Sequence, residues 1–262
     1  MRIETRFYAE LNDFLRPLDR GRPLVAEIAS GTSVKDLVES LGVPHTEIDV
    51  ILVNGISVDF AQQLADGDRV SVYPTFQSID VTPITHLRPN ALRTPRFVLD
   101  VHLGRLARRL RLLGFDVLWR NDVSDAELAR LSAQQRRILL TRDRGLLKRR
   151  EVTHGYFVRE TARRRQVEEV LRRFDLFGSI QPFGRCLECN GLLEPVAKTE
   201  VNDRLLPRTR RDYDEFQRCQ GCGRVYWKGS HYDALRAVVD DIRRTARGEE
   251  VTSTGGTGET DG

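Results

Sequence analysis

The sequence predicts a multidomain chain of mixed α/β and α+β class, and three observations carry that prediction. Residues 1–76 place short alternating apolar runs around one helical stretch, with an Asn-Gly pair between two of them. From residue 96 the pattern changes to short, wholly apolar runs that alternate with amphipathic helices, which is how a parallel sheet covered on both faces reads. The only four cysteines then arrive as two Cys-x-x-Cys pairs. With 262 residues the chain has room for two or three modest domains.

Charge divides along the same lines. Residues 1–85 hold 7 Lys+Arg against 13 Asp+Glu, whereas residues 96–178 hold 20 against 11. An acidic segment in front of a basic one argues for different partners, the basic part facing phosphate. No apolar stretch approaches the ~20 residues that span a bilayer, so a membrane is excluded as a partner. The opening MRIETRFYAEL has no signal-peptide apolar region, so a cytoplasmic location is expected.

Residues 1–78 are expected to form the first domain. Ile3, Thr5 and Phe7 alternate as in a half-buried strand. Ser33 with Asp36 makes a capping box for a helix that carries Val34, Leu37, Val38 and Leu41 on one face, and Gly42 and Pro44 end it. Ile51-Leu52-Val53, Asn54-Gly55 and Ile56-Ser57-Val58 form the strongest short hairpin signal a sequence offers. Asp66-Gly67-Asp68 then turns into the last strand, Val70 to Pro74. This order resembles the ubiquitin-like β-grasp of sulfur-carrier proteins. Carriers end in a reactive Gly-Gly, but this segment continues into Thr75-Phe76-Gln77, and the only Gly-Gly is Gly255-Gly256. That argues against carrier chemistry and for a docking role toward a protein partner.

Residues 79–95, with Pro83, Pro89 and Pro95, suit a linker. The second domain is expected over 96–180. Phe97-Val98-Leu99 ends in Asp100, and Ile138-Leu139-Leu140-Thr141 runs into Arg142-Asp143. Open α/β sheets bind ligands at the carboxyl ends of their strands. Either acid could instead simply cap the helix that follows it. Leu103, Leu106, Ala107, Leu110 and Leu113 share one helical face, with Arg105, Arg108, Arg109 and Arg111 around the rest. Between the two strands, Ser124 and Glu127 read as a capping box, which leaves Asp125 ahead of Asp122 as a further acid on the same edge. Phosphodiester hydrolysis needs an activated water and charge neutralisation, which two hard cations about 3.5–4 Å apart can supply. Mg²⁺ and Mn²⁺ prefer carboxylate oxygens and water. Arg105, Arg108, Arg109, Arg142, Arg144 and Lys148 would hold phosphates without reading sequence.

The third domain is expected over 181–247 and a disordered tail over 248–262. Cys186 and Cys189 form the first knuckle, Cys219 and Cys222 the second, with 29 residues between them. In a reducing compartment they read as a Cys₄ zinc site, closed and therefore structural. Tyr226 and Trp227 beside the second knuckle suit packing of the module or stacking on bases.

Taken together, FVLDVHLGRLARRLRLLGFDV, SDAELARL, RILLTRDRGLL, the two knuckles and YWKGSHYDAL resemble the Mut-seven C-terminal RNase domain family. In that family a PIN-like nuclease, a three-layer α/β domain, carries an appended zinc ribbon, and a ubiquitin-like domain accompanies it. The resemblance implies a metal-dependent ribonuclease acting on RNA. It implies Asp100, Asp125 and Asp143 as the catalytic ligands of Mg²⁺ or Mn²⁺, beside a structural Zn²⁺. A fourth acid, usual in the PIN-like pattern, has no counterpart: Arg144 follows Asp143, and the next acid is Glu151. The competing reading is a non-catalytic RNA-binding adaptor. The RNA, the mode of cleavage and the oligomeric state are not encoded in any motif.

Overall fold

The computed structural model describes residues 1–74, 87 and 95–246. Apart from Leu87 and Pro95, the expected linker lies outside the described residues, as does the expected tail. The chain forms two compact units: one from residues within 1–107 and 117–161, the other from 108–116 and from residue 162 onward.

The first unit begins with a five-stranded sheet ordered β2-β1-β5-β3-β4. It is built from β1 (Arg2–Phe7), β2 (Leu24–Glu27), β3 (Ile48–Val53), β4 (Ile56–Ser57) and β5 (Arg69–Pro74), with helix α1 (Val34–Ser40) between β2 and β3. Only β1 and β5 pair in parallel; the remaining pairs are antiparallel. This is a ubiquitin-like β-grasp. Its local signals act as expected: Ser33 and Asp36 close the capping box on α1. Asn54 and Gly55 both take positive φ, 52° and 85°, so the two-residue turn matches the twist of its strands. Ile3, Phe7, Leu37, Val38, Ile51 and Val72 meet in one core.

The same unit contains a second sheet, ordered β7-β6-β8-β9 and parallel throughout. Its elements are β6 (Phe97–Leu99), α2 (Gly104–Leu112), β7 (Val117–Leu118), α3 (Asp125–Gln135), β8 (Ile138–Thr141), α4 (Arg144–Leu147) and β9 (Gly155–Phe157). β6 and β8 are buried along their whole length, which explains their unbroken apolar runs. β7 lies on one side of β6 while β8 and β9 lie on the other, so the strand order reverses between β6 and β8. That is the topological switch point, where an open α/β sheet forms its ligand crevice.

Phe157 packs against the cores of both sheets. The β-grasp and the parallel sheet are also joined by polar contacts. Arg159 meets Glu47 at 3.0 Å and Asp13 at 3.3 Å, and the Glu47 side chain is 2 % exposed. Glu47 Oε1 accepts from the Phe157 amide at 2.6 Å, and the His45 ring contacts the Val152 carbonyl at 2.8 Å.

The second unit holds the C-terminal half of α2, then α5 (Arg163–Arg173), β10 (Leu193–Val196), α6 (Lys198–Val201), α7 (Pro207–Asp212), β11 (Phe216–Cys219), β12 (Val225–Trp227) and α8 (Ser230–Ala246). β10, β11 and β12 form an antiparallel sheet over Val201, Leu205 and Phe216. Gly114 ends α2 at φ 98°, and a Cβ there would fall 2.1 Å from the Gln181 carbonyl oxygen. Only glycine fits. The Gln181 and Phe183 amides then donate to Leu113 and Leu112, tying the end of α2 to the chain beyond α5. Among the described residues no helix is long and apolar enough to cross a membrane.

Candidate functional site

Two places gather chemistry-bearing side chains. The first is the carboxyl edge of the parallel sheet in the first unit. β6 and β8 pair in register, Leu99 opposite Leu140, so Asp100 and Thr141 follow side by side. Asp100 is 6 % exposed. The Thr141 hydroxyl donates to Asp100 Oδ2 at 2.6 Å and accepts from the Asp143 amide at 2.9 Å, so one fully buried hydroxyl joins the two acids. Asp100 Oδ1 accepts from the His102 amide, and the exposed Asp143 accepts through Oδ1 from Gly145 at 2.7 Å. Both acids therefore do cap the helical turns after them. An ionised carboxylate has about four lone-pair sites, so each keeps room for a cation.

Asp125 is exposed in the first turn of α3. The capping box expected there forms only in part: the Ser124 hydroxyl accepts from the Glu127 amide. The Glu127 carboxylate turns instead toward Arg120 at 3.7 Å and Arg130 at 4.0 Å, because two guanidiniums offer it more than one amide. Asp122 is paired with Arg120 at 3.1 Å, whose hydrogen bond holds its carboxyl below the usual range. Among the described residues, Asp100, Asp125 and Asp143 do not form a group with converging ligand atoms; the cysteines do.

The basic residues proposed for phosphate divide sharply. Arg105 and Arg108 are exposed and Arg109 is half-buried. Arg142 Nη1 donates at 2.8 Å to the carbonyls of Val158, Arg159 and Glu160. Arg144 donates to the Phe14 and Asp13 carbonyls and lies over the Phe14 ring, 5.0 Å from its centre. Lys148 Nζ donates to the Glu39 carbonyl at 2.7 Å. Arg144 and Lys148 thus attach the β-grasp. Arg111, read from the sequence as part of a polar helix face, is 3 % exposed. Its Nη1 donates to the Leu187 and Glu188 carbonyls at 3.0 and 2.7 Å, holding the first knuckle from behind.

The second place is that knuckle cluster. The sulfurs of Cys186, Cys189, Cys219 and Cys222 all lie within 4.8 Å of one another. Cys186 and Cys222 are 3.7 Å apart, and Cys189 and Cys219 are 3.3 Å apart. Tetrahedral zinc with ~2.3 Å bonds to sulfur needs sulfurs ~3.8 Å apart, so the donor set fits Zn²⁺. Tyr226, which the sequence left open to stacking, serves the ligand shell: its hydroxyl lies 3.0 Å from Cys186 Sγ and accepts from the Leu187 amide. Burial pushes the Cys186 thiol up. Hydrogen bonds from Tyr226 and from the backbone at Cys189 and Glu188 outweigh it and bring it down to about 6. Burial and the neighbouring thiols push Cys189 up to about 12. Neighbouring thiols resist ionising together until a cation neutralises their charge.

Thr141, Arg111 and the Glu47–Arg159 pair escaped the sequence reading. Only Thr141 left a trace, as a hydroxyl closing an otherwise apolar run just before Asp143.

Residues 95–239 match the family model of the Mut7-C RNAse domain, and residues 1–80 match that of Mut7-C ubiquitin. No curated protein matches the chain. Among solved structures, small archaeal modifier protein 1 of H. volcanii is similar at 18 % identity over 29 % of this chain and 98 % of its own, with TM-score 0.24. A putative molybdopterin converting factor, subunit 1, from Pyrococcus furiosus is similar at 26 % identity over 29 % and 98 %, with TM-score 0.23.

Proposed function

This chain belongs to the Mut7-C RNAse domain family, and from that premise we propose that it is a divalent-metal-dependent ribonuclease, hydrolysing RNA phosphodiester bonds at the carboxyl edge of the parallel sheet. The observation that supports the reading best is the Thr141 hydroxyl between Asp100 and Asp143, at the switch point of the sheet. A buried carboxylate is expensive unless it is hydrogen-bonded or paired. Asp100 is supplied with two donors at the place where a hard cation would be held. Asp100, Asp143 and Asp125 are the ligands of Mg²⁺ or Mn²⁺ in this reading. The cation, when bound, supplies an activated water and neutralises charge on the leaving oxygen.

The chain's own groups position the reaction. Thr141 fixes the Asp100 carboxylate and, through the Asp143 amide, the turn that presents Asp143. Asp125 enters from the first turn of α3, where its own helix favours negative charge. Arg105, Arg108 and Arg109 hold RNA phosphates, while Arg142, Arg144 and Lys148 keep the surrounding backbone in place. The β-grasp, residues 1–78, is a fixed docking module for a protein partner and not a carrier.

Single-stranded RNA incubated with pure protein and Mn²⁺ should be cut, and EDTA should stop the cutting. RNA that is bound but never cut under any divalent cation would leave the adaptor reading in its place.

A further inference from the structure

The zinc module carries a feature that neither its metal nor the acid edge accounts for. In the second unit a cavity of about 450 Å³ opens beside the knuckles, a size typical of small-ligand sites. Its wall is formed by Leu205, Leu206, Val225 and Trp227, and its cations are Arg204 and Arg224. Trp227 is 39 % exposed and Leu206 72 % exposed, although both are large and apolar. Phe216 is its cross-strand partner, with ring centres 6.5 Å apart, so the indole is braced at its side while it stays partly exposed.

The charges around it are also arranged. Glu188 Oε1 is shared by Arg224 at 3.5 Å and Arg108 at 3.1 Å. This joins Arg108 to the cavity. Arg204 is exposed, and among the described residues no carboxylate pairs with it. Cys189 and Cys222 also reach the cavity. A zinc tetrathiolate is formally anionic, so the arginines offset a charge that would otherwise repel phosphate. Stacking then carries the affinity and the arginines track the backbone, the combination by which proteins hold single strands without reading sequence.

We infer that this cavity is a docking site for an unstacked base of single-stranded RNA, with Trp227 as the stacking platform and Arg204 and Arg224 on the flanking phosphates. The inference deepens the ribonuclease reading and rests on its assignment of RNA as substrate. It also gives Arg108 a defined course for the strand, from α2 through Glu188 and Arg224 to the indole.

The test uses the full zinc-loaded chain with a uridylate dodecamer and no Mg²⁺ or Mn²⁺, so that binding is read without cleavage. RNA should quench tryptophan fluorescence. Trp227→Ala should remove the quenching and weaken binding about tenfold, which is ~1.4 kcal/mol, whereas Trp227→Phe should keep most of the affinity. Arg204→Gln should lower the salt slope of log affinity by about 0.7. Zinc content checks that each variant is folded, and Arg204→Gln keeps the test open if Trp227→Ala loses its metal.

Unchanged affinity in both Trp227→Ala and Arg204→Gln would overturn the inference and leave the cavity to a protein segment. So would a parent chain that binds no dodecamer. Cleavage with Mn²⁺ is scored separately. A chain that binds through Trp227 but never cuts defeats only the nuclease reading, and one that cuts with Trp227→Ala binding as before defeats only the docking site.

Discussion

The two metal-suited regions are built on opposite plans. The cysteines converge, with all four sulfurs within 4.8 Å, two of them buried, a tyrosine on one sulfur and an arginine behind the knuckle. The aspartates do not: one is buried, two are exposed, and a single threonine links two of them. The donors explain the contrast. Cysteines are small and pack among apolar neighbours, so a folded module can hold four of them close together. Carboxylates near neutral pH are charged, and three held together without a cation would repel one another. The sulfur site is therefore coupled to folding through its zinc, whereas the acid edge keeps its carboxylates apart.

Removing a sulfur should give the largest effect. Cys186→Ser should cost the chain its zinc and unfold the second unit, since structural zinc contributes on the order of 10 kcal/mol in small modules. Metal analysis and proteolysis would read this, and the β-grasp strands should stay protected. A zinc-free variant of unchanged stability would erase the contrast between the regions.

At the acid edge the effect should fall on activity and leave the fold intact. Asp143→Asn should abolish Mn²⁺-dependent cleavage while RNA affinity, measured by filter binding, stays within about twofold, because phosphate contacts carry binding. Cleavage that survives this change would move the site elsewhere. Thr141→Val keeps the shape and removes the hydroxyl. Cleavage should drop about 10–100-fold, as when a group that orients a metal ligand is lost, and titration with Mn²⁺ should show weaker binding. An effect as small as that of a remote surface change would reduce Thr141 to packing. The smallest effect should come from Ser124→Ala, which removes the cap of α3 at a cost of about 1 kcal/mol in a denaturant melt and should leave zinc untouched.

Signals that act over a few residues were legible. The Asn54-Gly55 turn, the Ser33 capping box and the two knuckles each need only near neighbours, and the structure has all three. The apolar runs at 97–99 and 138–140 revealed buried parallel strands because both faces are covered. What stayed hidden depends on partners far along the chain. Arg111 reaches carbonyls 76 and 77 residues away, Arg144 a carbonyl 130 away and Lys148 one 109 away. Composition presents all of these as surface charge. A guanidinium that binds carbonyls and one that awaits phosphate look the same in sequence.

The closing residues of α2 have a consequence for how the chain is made. Leu112 and Leu113 leave the ribosome long before Gln181 and Phe183, whose amides they accept. At synthesis rates of about 5–20 residues per second, that gap of roughly seventy residues lasts roughly 4–14 s. The first unit has all of its own residues only once residue 161 is made, late in that interval, and the half-helix then still lacks the two amides that close its end. A chain stopped after residue 161 would never gain them. Truncation there should leave the end of α2 frayed, which faster amide hydrogen exchange in its last turn would read.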